Sequence, residues 1–432
     1  MAPSQALQQV SPARRCAYAV LVRVFEQGAY ADEALRAEAQ HLEGRERALA
    51  MRLAYGAIQR RATLDHLIGE LAERDVRRID PPLLGALRLG LYELLYLQGS
   101  PEYATVAQAV ELAKGKARAG HGLVNAVLRR AAREGPAKLL GGLSEGTPEQ
   151  AALKHSHPAW IARLWWAVLG PAQACELMAA DNEPAEVSLR VNTLLADAAE
   201  LAGGLPVATH GDPRLPEALV LEEPFDLHAS PLWERGALIA QSRAAMLVSR
   251  ALDPSRGERV LDLCAAPGGK ATHLAALMQG QGLVVAVERD RRRAGVLSRT
   301  AQRMGADNVR VEVADAAEPR AEAPFDRVLV DPPCSGLGTL QARPDLRWRM
   351  QEESLPELAL AQGQILRAGA DALRPGGLLV YSTCTISPDE NERVIAAFLE
   401  SRPDFTPVGE AQQTLPHRDR TAGFFIARLR RG

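Results

Sequence analysis

The sequence predicts an α/β protein in which a doubly wound, Rossmann-like domain follows an all-helical domain and a small mixed α/β segment. Three observations predict it. Apolar residues in 1–140 recur at helical spacing, those in 150–245 switch between helical and strand-like runs, and from Leu247 short apolar strands alternate with helical stretches. The 432 residues suit about three domains at ~150 residues each, here 1–140, 150–245 and 246–432.

In the first part, Ser11-Pro12 reads as an N-cap followed by the proline favoured at the first helical position. Ala17, Val20, Leu21, Val24 and Phe25 then share one helix face. Asp80-Pro81 opens another helix, with Leu84, Leu87, Leu91, Leu94 and Leu95 on its apolar side. Further helices are expected over 104–118 and 123–133, and the Gly/Pro/Ser-bearing stretch 135–148 is a break. Next come a helix carrying Trp160, Trp165 and Trp166 and two short strands, 187–193 and 218–222. The last part offers strands at 259–263, 283–288, 309–313, 327–330 and 378–382, the alternation of a parallel sheet, with 424–429 as an added antiparallel strand.

Composition sets the class. With 47% hydrophobic and 24% charged residues the chain has enough apolar material for packed cores. Met1–Pro12 lacks the basic start and apolar core of a signal peptide. No apolar run approaches the ~20 residues of a membrane span. The expectation is a cytoplasmic, monomeric protein with no membrane partner. Five dispersed cysteines, an odd number with no Cys-x-x-Cys pair, argue against both a disulfide framework and a zinc site. The net charge of −2 hides an asymmetry: residues 1–140 carry 20 Lys/Arg against 15 Asp/Glu. Within them, 101–140 hold seven basic and three acidic residues, a patch able to hold phosphates.

The strand at 259–263 runs into Cys264-Ala265-Ala266-Pro267-Gly268-Gly269-Lys270, and a helix follows. Small residues and two glycines at a helix N-terminus let backbone approach a ligand closely. A phosphate-binding loop would need Gly at 264 and Ser or Thr at 271, where this chain has Cys264 and Ala271. Acidic residues follow at successive strand ends: Glu288, suited to ribose hydroxyls, then Asp315 and Asp331. Together they mark a crevice for an adenosine-containing cofactor, NAD or S-adenosylmethionine.

Two cysteines share that rim. Asp331-Pro332-Pro333-Cys334-Ser335-Gly336 follows the fourth strand, and Cys384 closes the fifth. Carbon 5 of cytosine is too poor a nucleophile to take a methyl group directly. A thiolate adding to C6 makes it an enamine carbon, and the thiolate must later be expelled. Two cysteines suit those two steps, and the residues alone leave the roles interchangeable. An adenine N6-methyltransferase would place an aromatic residue where Cys334 stands.

At these residues the sequence resembles the bacterial RNA 5-methylcytosine methyltransferases of the Nop2/Sun (Fmu) family. The matching segments are 260–270, 331–336 continuing to Arg343-Pro344-Asp345-Leu346-Arg347-Trp348, 382–392 and 423–429. Residues 1–140 look like a NusB-type RNA-binding domain, notably over 47–56 and 123–130. This pairing of domains is similar to that of enzymes acting on small-subunit (16S) rRNA. The resemblance implies a class I methyltransferase domain using S-adenosylmethionine, rRNA rather than DNA as partner, and no metal. It implies Cys384 as nucleophile, Cys334 as the residue assisting release, and Asp331 as the group beside the base. It also implies Cys264, Ala265, Ala266, Pro267, Gly268, Gly269, Lys270, Glu288, Asp315 and Asp331 around the cofactor, with Lys270 reaching toward the base or its phosphate.

Four positions depart from the family pattern. Glu288 replaces Asp, Ser242 and Ala422 stand where the family has Asp, and Ala107 replaces Asn. Two rival readings are the same chemistry on large-subunit rRNA or tRNA, and a non-catalytic RNA-binding or antitermination-like factor.

Overall fold

The computed structural model describes residues 10–432 except 118, 224 and 321. Residues 1–9 of the segment read as lacking a leader pattern, and residue 118 at the end of an expected helix, lie outside the described residues. The chain forms two compact units, one of residues up to Pro184 together with Leu340–Met350, the other of Ala185–Thr339 and Gln351–Gly432.

The first unit is helical. Ser11 caps the helix Pro12–Glu26 as expected, its hydroxyl accepting the Arg14 N–H, and Ala17, Val20, Leu21 and Val24 are buried. The helix Pro81–Tyr96 is buried on nearly every side rather than on one face, with Leu83, Ala86, Leu87, Leu89, Leu91 and Leu95 all in the core. Other helices surround it, so its apolar stripe broadens to most of its surface. The helices Glu102–Lys116 and His121–Glu134 follow, and the expected break holds a short helix of its own, Pro136–Gly141. Ala159–Leu169 is the tryptophan-bearing helix, with Trp165 fully buried.

Residues 340–350 are part of this unit although they follow it far along the chain. Arg347 is fully buried, donating to the Ser156 and Asp181 carbonyls at 3.1 and 2.9 Å and to Asn182 Oδ1 at 3.0 Å. Trp348 Nε1 donates to the Ile58 carbonyl at 2.7 Å. Burial of a guanidinium is costly unless its donors are met; here both terminal nitrogens donate, while Nε has no partner.

The second unit has two sheets. Strands β1 (Ser188–Val191), β2 (Thr209–Asp212), β3 (Leu215–Leu221) and β4 (Leu238–Ala240) form an antiparallel sheet in the order β2-β3-β1-β4. Strands β5 (Arg259–Leu263), β6 (Leu283–Glu288), β7 (Val309–Val313), β8 (Phe325–Val330) and β9 (Leu373–Thr383) are parallel. Strands β10 (Phe405–Pro407), β11 (Gln412–Gln413) and β12 (Phe425–Arg431) extend them antiparallel, giving the order β10-β12-β9-β8-β5-β6-β7 with β11 on β12. Alternate residues face opposite layers. Leu261, Val285, Val328 and Leu379 pack with Leu366 and Phe398 on one side. Val260, Val284, Leu329 and Val380 pack with Val248, Leu274 and Leu297 on the other. Helices on both faces of a mostly parallel sheet make the doubly wound fold expected.

Candidate active site

Strand register sets the site. Leu263 pairs with Val287 and with Val330, Glu288 with Val313, and Val330 with Tyr381. The carboxyl ends of β5, β6, β8 and β9 therefore lie in one row, and the segments that follow them share a rim.

The loop after β5 is built by backbone conformation. Cys264 lies in the left-handed region at φ 66°, and the Ala265 N–H donates to the Val287 carbonyl at 2.9 Å. Gly268 has φ 105° and caps the helix Gly269–Leu277 with no side-chain cap on its first N–H groups. Arg190 of β1 braces this helix. Fully buried, it donates through Nε to Gln241 Oε1 and through Nη2 to Thr272 Oγ1, both at 2.8 Å. Arg190 carries no signal in sequence beyond a cation inside an apolar strand.

The acidic residues take different stations. Glu288 closes β6 and is buried; its Oε1 accepts the Asp290 N–H at 2.9 Å, while Oε2 has Arg293 at 3.5 Å but no hydrogen bond. Asp315 lies two residues beyond β7, which ends at Val313, and its Oδ1 accepts the Ala317 N–H at 2.9 Å. Asp331 directly follows β8 and accepts from Lys270 Nζ at 2.7 Å. Burial works against the Lys270 charge. The charge and hydrogen bond of Asp331, then Cys384 and Asp262, outweigh it and hold the ammonium above the usual lysine value. Asp262 carries no functional signal in sequence. Burial, then the charge of Asp331, pushes its carboxyl up to about 8, and neither oxygen has a hydrogen bond.

The cysteines meet beside this pair. Cys334 Sγ and Cys384 Sγ are 3.3 Å apart, both half-buried and outside any disulfide. The hydrogen bond to Cys384, burial, and then the charges of Cys384, Glu390 and Asp331 raise the Cys334 thiol well above its ordinary value. Burial and the nearby Asp331, Asp262 and Glu288 carboxyls push Cys264 up to about 12, so it stays a thiol. Lys270, Asp331, Cys334 and Cys384 thus form one group, with Glu288 at the end of β6 and Asp315 beyond β7.

The basic stretch of the helical unit is partly neutralised: Lys114 pairs with Glu111, Arg130 with Glu73 and Glu134, and Lys138 with Glu134. Arg129 and Arg133, one turn apart on the same helix, instead line a cleft with Tyr103 and Asn125. Tyr103 is 79% exposed, an open aromatic face beside two cations.

Residues 249–430 match the family described as 16S rRNA methyltransferase RsmB/F. Residues 11–133 match the NusB family, and 157–228 the ferredoxin-like domain of RsmF/B-like methyltransferases. The chain is 34% identical to the Bacillus subtilis (strain 168) protein named probable ribosomal RNA small subunit methyltransferase B, over 97% of this chain and 98% of that one. The chain belongs to the RsmB/F methyltransferase family. A Klebsiella pneumoniae subsp. pneumoniae protein named ribosomal RNA small subunit methyltransferase B is 35% identical over 96% of this chain and 97% of its own. The solved structure of PH0851 superposes with a TM-score of 0.81 at 28% identity, covering 98% of this chain and 99% of that one. As a member of RsmB/F the chain is a methyltransferase, which sets aside the reading as a non-catalytic RNA-binding factor. Its departures from the pattern are structurally mild. Ser242 caps the helix Arg243–Leu252 by accepting the Ala245 N–H, the service an Asp would give there. Ala107 is exposed on its helix.

Proposed function

We propose that this RsmB/F member transfers a methyl group from S-adenosylmethionine to carbon 5 of a cytosine in small-subunit rRNA through a covalent cysteine–C6 intermediate, in the cytoplasm. The observation that carries the reading is the Cys334–Cys384 pair at 3.3 Å on the same rim as the Lys270–Asp331 ion pair. The residues around the rim fit the cofactor. Glu288 keeps a buried, unbonded carboxylate oxygen for a ribose hydroxyl, and Gly268–Gly269 leave the turn without side chains. Bound there, S-adenosylmethionine supplies an electrophilic methyl group.

The chain's own residues account for the rest. The contact with Cys384, burial and the charges around it raise the Cys334 thiol, and the resemblance to the Nop2/Sun family gives Cys384 the nucleophile's part. Cys384 Sγ adds to C6, and the C5–C6 electrons move to C5, which takes the methyl group. Asp331 positions the base, with Lys270 balancing its charge. Loss of the C5 proton then restores the double bond and returns the C6–S electrons to Cys384. Two of the causes that hold Cys334 protonated, the hydrogen bond and the charge, come from Cys384. Both weaken once Cys384 is bonded to carbon, so Cys334 gives its proton to solvent more readily and, as a thiolate, takes the C5 proton.

Methyl incorporation into 16S rRNA, followed by bisulfite mapping, tests the substrate; label in large-subunit rRNA or tRNA instead overturns that part. Cys384→Ala is expected to abolish methylation with no covalent species. Cys334→Ala is expected to accumulate a denaturation-resistant protein–RNA adduct that the double variant lacks. An adduct trapped by Cys384→Ala instead reverses the roles, and normal methylation by both single variants refutes the mechanism.

A further inference from the structure

Both cysteine loops are gripped from behind by two adjacent residues on the segment after Cys384. Glu390 is fully buried, and among the described residues no Lys, Arg or His pairs with it. Its Oε1 accepts the Ser335 N–H at 2.8 Å and Gln362 Nε2 at 3.0 Å, and its Oε2 accepts the Ser335 hydroxyl. A hydroxyl has one hydrogen. Ser335 spends its own on the carboxylate, so in the 2.6 Å contact between Ser335 Oγ and Thr385 Oγ1 the threonine is the donor. Gln362 also donates to the Pro333 carbonyl at 3.0 Å. Asn391 accepts the Thr383 hydroxyl and donates to the Thr385 carbonyl at 3.1 Å.

Pro333 and Ser335 flank Cys334, and Thr383 and Thr385 flank Cys384. All four flanking residues are therefore held by Gln362, Glu390 or Asn391, and the Thr385–Ser335 contact joins one loop to the other. Burying a carboxylate with no cation beside it is unfavourable unless its hydrogen bonds are well made, and an apolar residue would fill the space at lower free energy. What the carboxylate does well is gather donors, and three converge on it from the Cys334 side of the site.

We propose that Glu390 is a positioning residue that fixes the separation of the two sulfurs by clamping Ser335 and, through it, Thr385. Its hydrogen bonds go to neither sulfur. The inference rests on the reading of Cys334 and Cys384 as the reacting pair, but its test does not require methylation.

Diamide takes two electrons and two protons from a thiol pair as the S–S bond forms, so its rate of linking Cys334 to Cys384 in the full chain reads how well the sulfurs are held together. The linked peptide is followed by mass spectrometry after quenching. Glu390→Ala is expected to slow this linkage by at least about tenfold, since small misplacements of reacting atoms cost orders of magnitude in rate. Glu390→Gln keeps the Oε1 acceptor, and its amide donates to Ser335 Oγ, whose own hydrogen turns to Thr385. That variant is expected to stay within about twofold of wild type, because the geometry is kept. Thr385→Val leaves the bonds of Glu390 in place and guards against a folding defect in Glu390→Ala; a slowing of about threefold or more is expected as the link between loops is cut. Wild-type linkage in Glu390→Ala, or in Thr385→Val, overturns the clamp, as does a Glu390→Gln variant as slow as Glu390→Ala. If the variants behave as expected but no form of the protein methylates rRNA, the clamp stands and the proposed function fails.

Discussion

Replacing Gly268 with alanine attacks the cofactor loop at its tightest point. The backbone there has φ 105°, and an added Cβ would come within 2.8 Å of Leu297 Cδ1 and 3.3 Å of Thr300 Cβ and Cγ2. Holding an L-residue at positive φ costs about 1–2 kcal/mol. Forcing a methyl group into packed neighbours costs about 1–3 kcal/mol more. The sum, about 2–5 kcal/mol, is expected to lower the melting temperature of a unit of this size by roughly 5–15 °C. Gly269→Ala is the control, since its Cβ would meet nothing closer than Gln241 at 3.7 Å. It is expected to leave melting unchanged or slightly raised, through better helix propensity, while weakening S-adenosylmethionine binding if the proposed cofactor loop is right. Calorimetry reads both quantities, melting without ligand and affinity by titration. Unchanged melting and affinity in Gly268→Ala would refute the account of the loop.

Asp262, pushed up to about 8, keeps a proton in the folded chain that the unfolded chain loses near pH 4. The folded state binds more protons between those values, so its stability falls as pH rises from about 4 to about 8. Urea unfolding across that range should show the fall flattened in Asp262→Asn, and an unchanged slope refutes the assignment. Arg347→Met removes a buried cation from five oxygen acceptors and is expected to cost the helical unit about 3–5 kcal/mol in denaturant unfolding. Arg129→Ala and Arg133→Ala should weaken RNA binding without altering cofactor affinity, each flattening the log–log salt dependence by about 0.7–0.9. Salt curves that superpose on wild type would remove that cleft from the RNA surface.

Strands β5, β6, β8 and β9 are legible because strands largely buried on both faces read as apolar runs between turn signals, and the edge strand β7 because Val309, Val311 and Val313 alternate with charged residues. Strands β2, β4, β10 and β11 are not. The first, Thr-His-Gly-Asp, has no apolar residue to mark it, and the others span two or three, too few for a period to appear. Cys334, Cys384 and the 264–270 loop can be read because their residue types sit at strand ends, where the fold itself marks a crevice. Glu390, Arg190 and Arg347 cannot be weighed in the same way. Each owes its meaning to partners distant in sequence: Ser335 for Glu390, Thr272 for Arg190, Ser156 for Arg347. Asp262 reads as an ordinary strand residue until its burial beside Asp331 is known.

The place of Leu340–Met350 in the helical unit bears on how the chain comes off the ribosome. Growing from its N-terminus, the chain exposes every helix up to Ala180 long before Arg347 and Trp348 emerge. Until then the carbonyls of Ile58, Ser156 and Asp181 lack the Trp348 and Arg347 donors they meet in the finished protein. At ~5–20 residues per second the wait is on the order of 10–30 s. The nascent helical part must spend it incomplete, with the parallel sheet already begun behind it. The first unit to start folding is thus unable to finish before much of the second has been made.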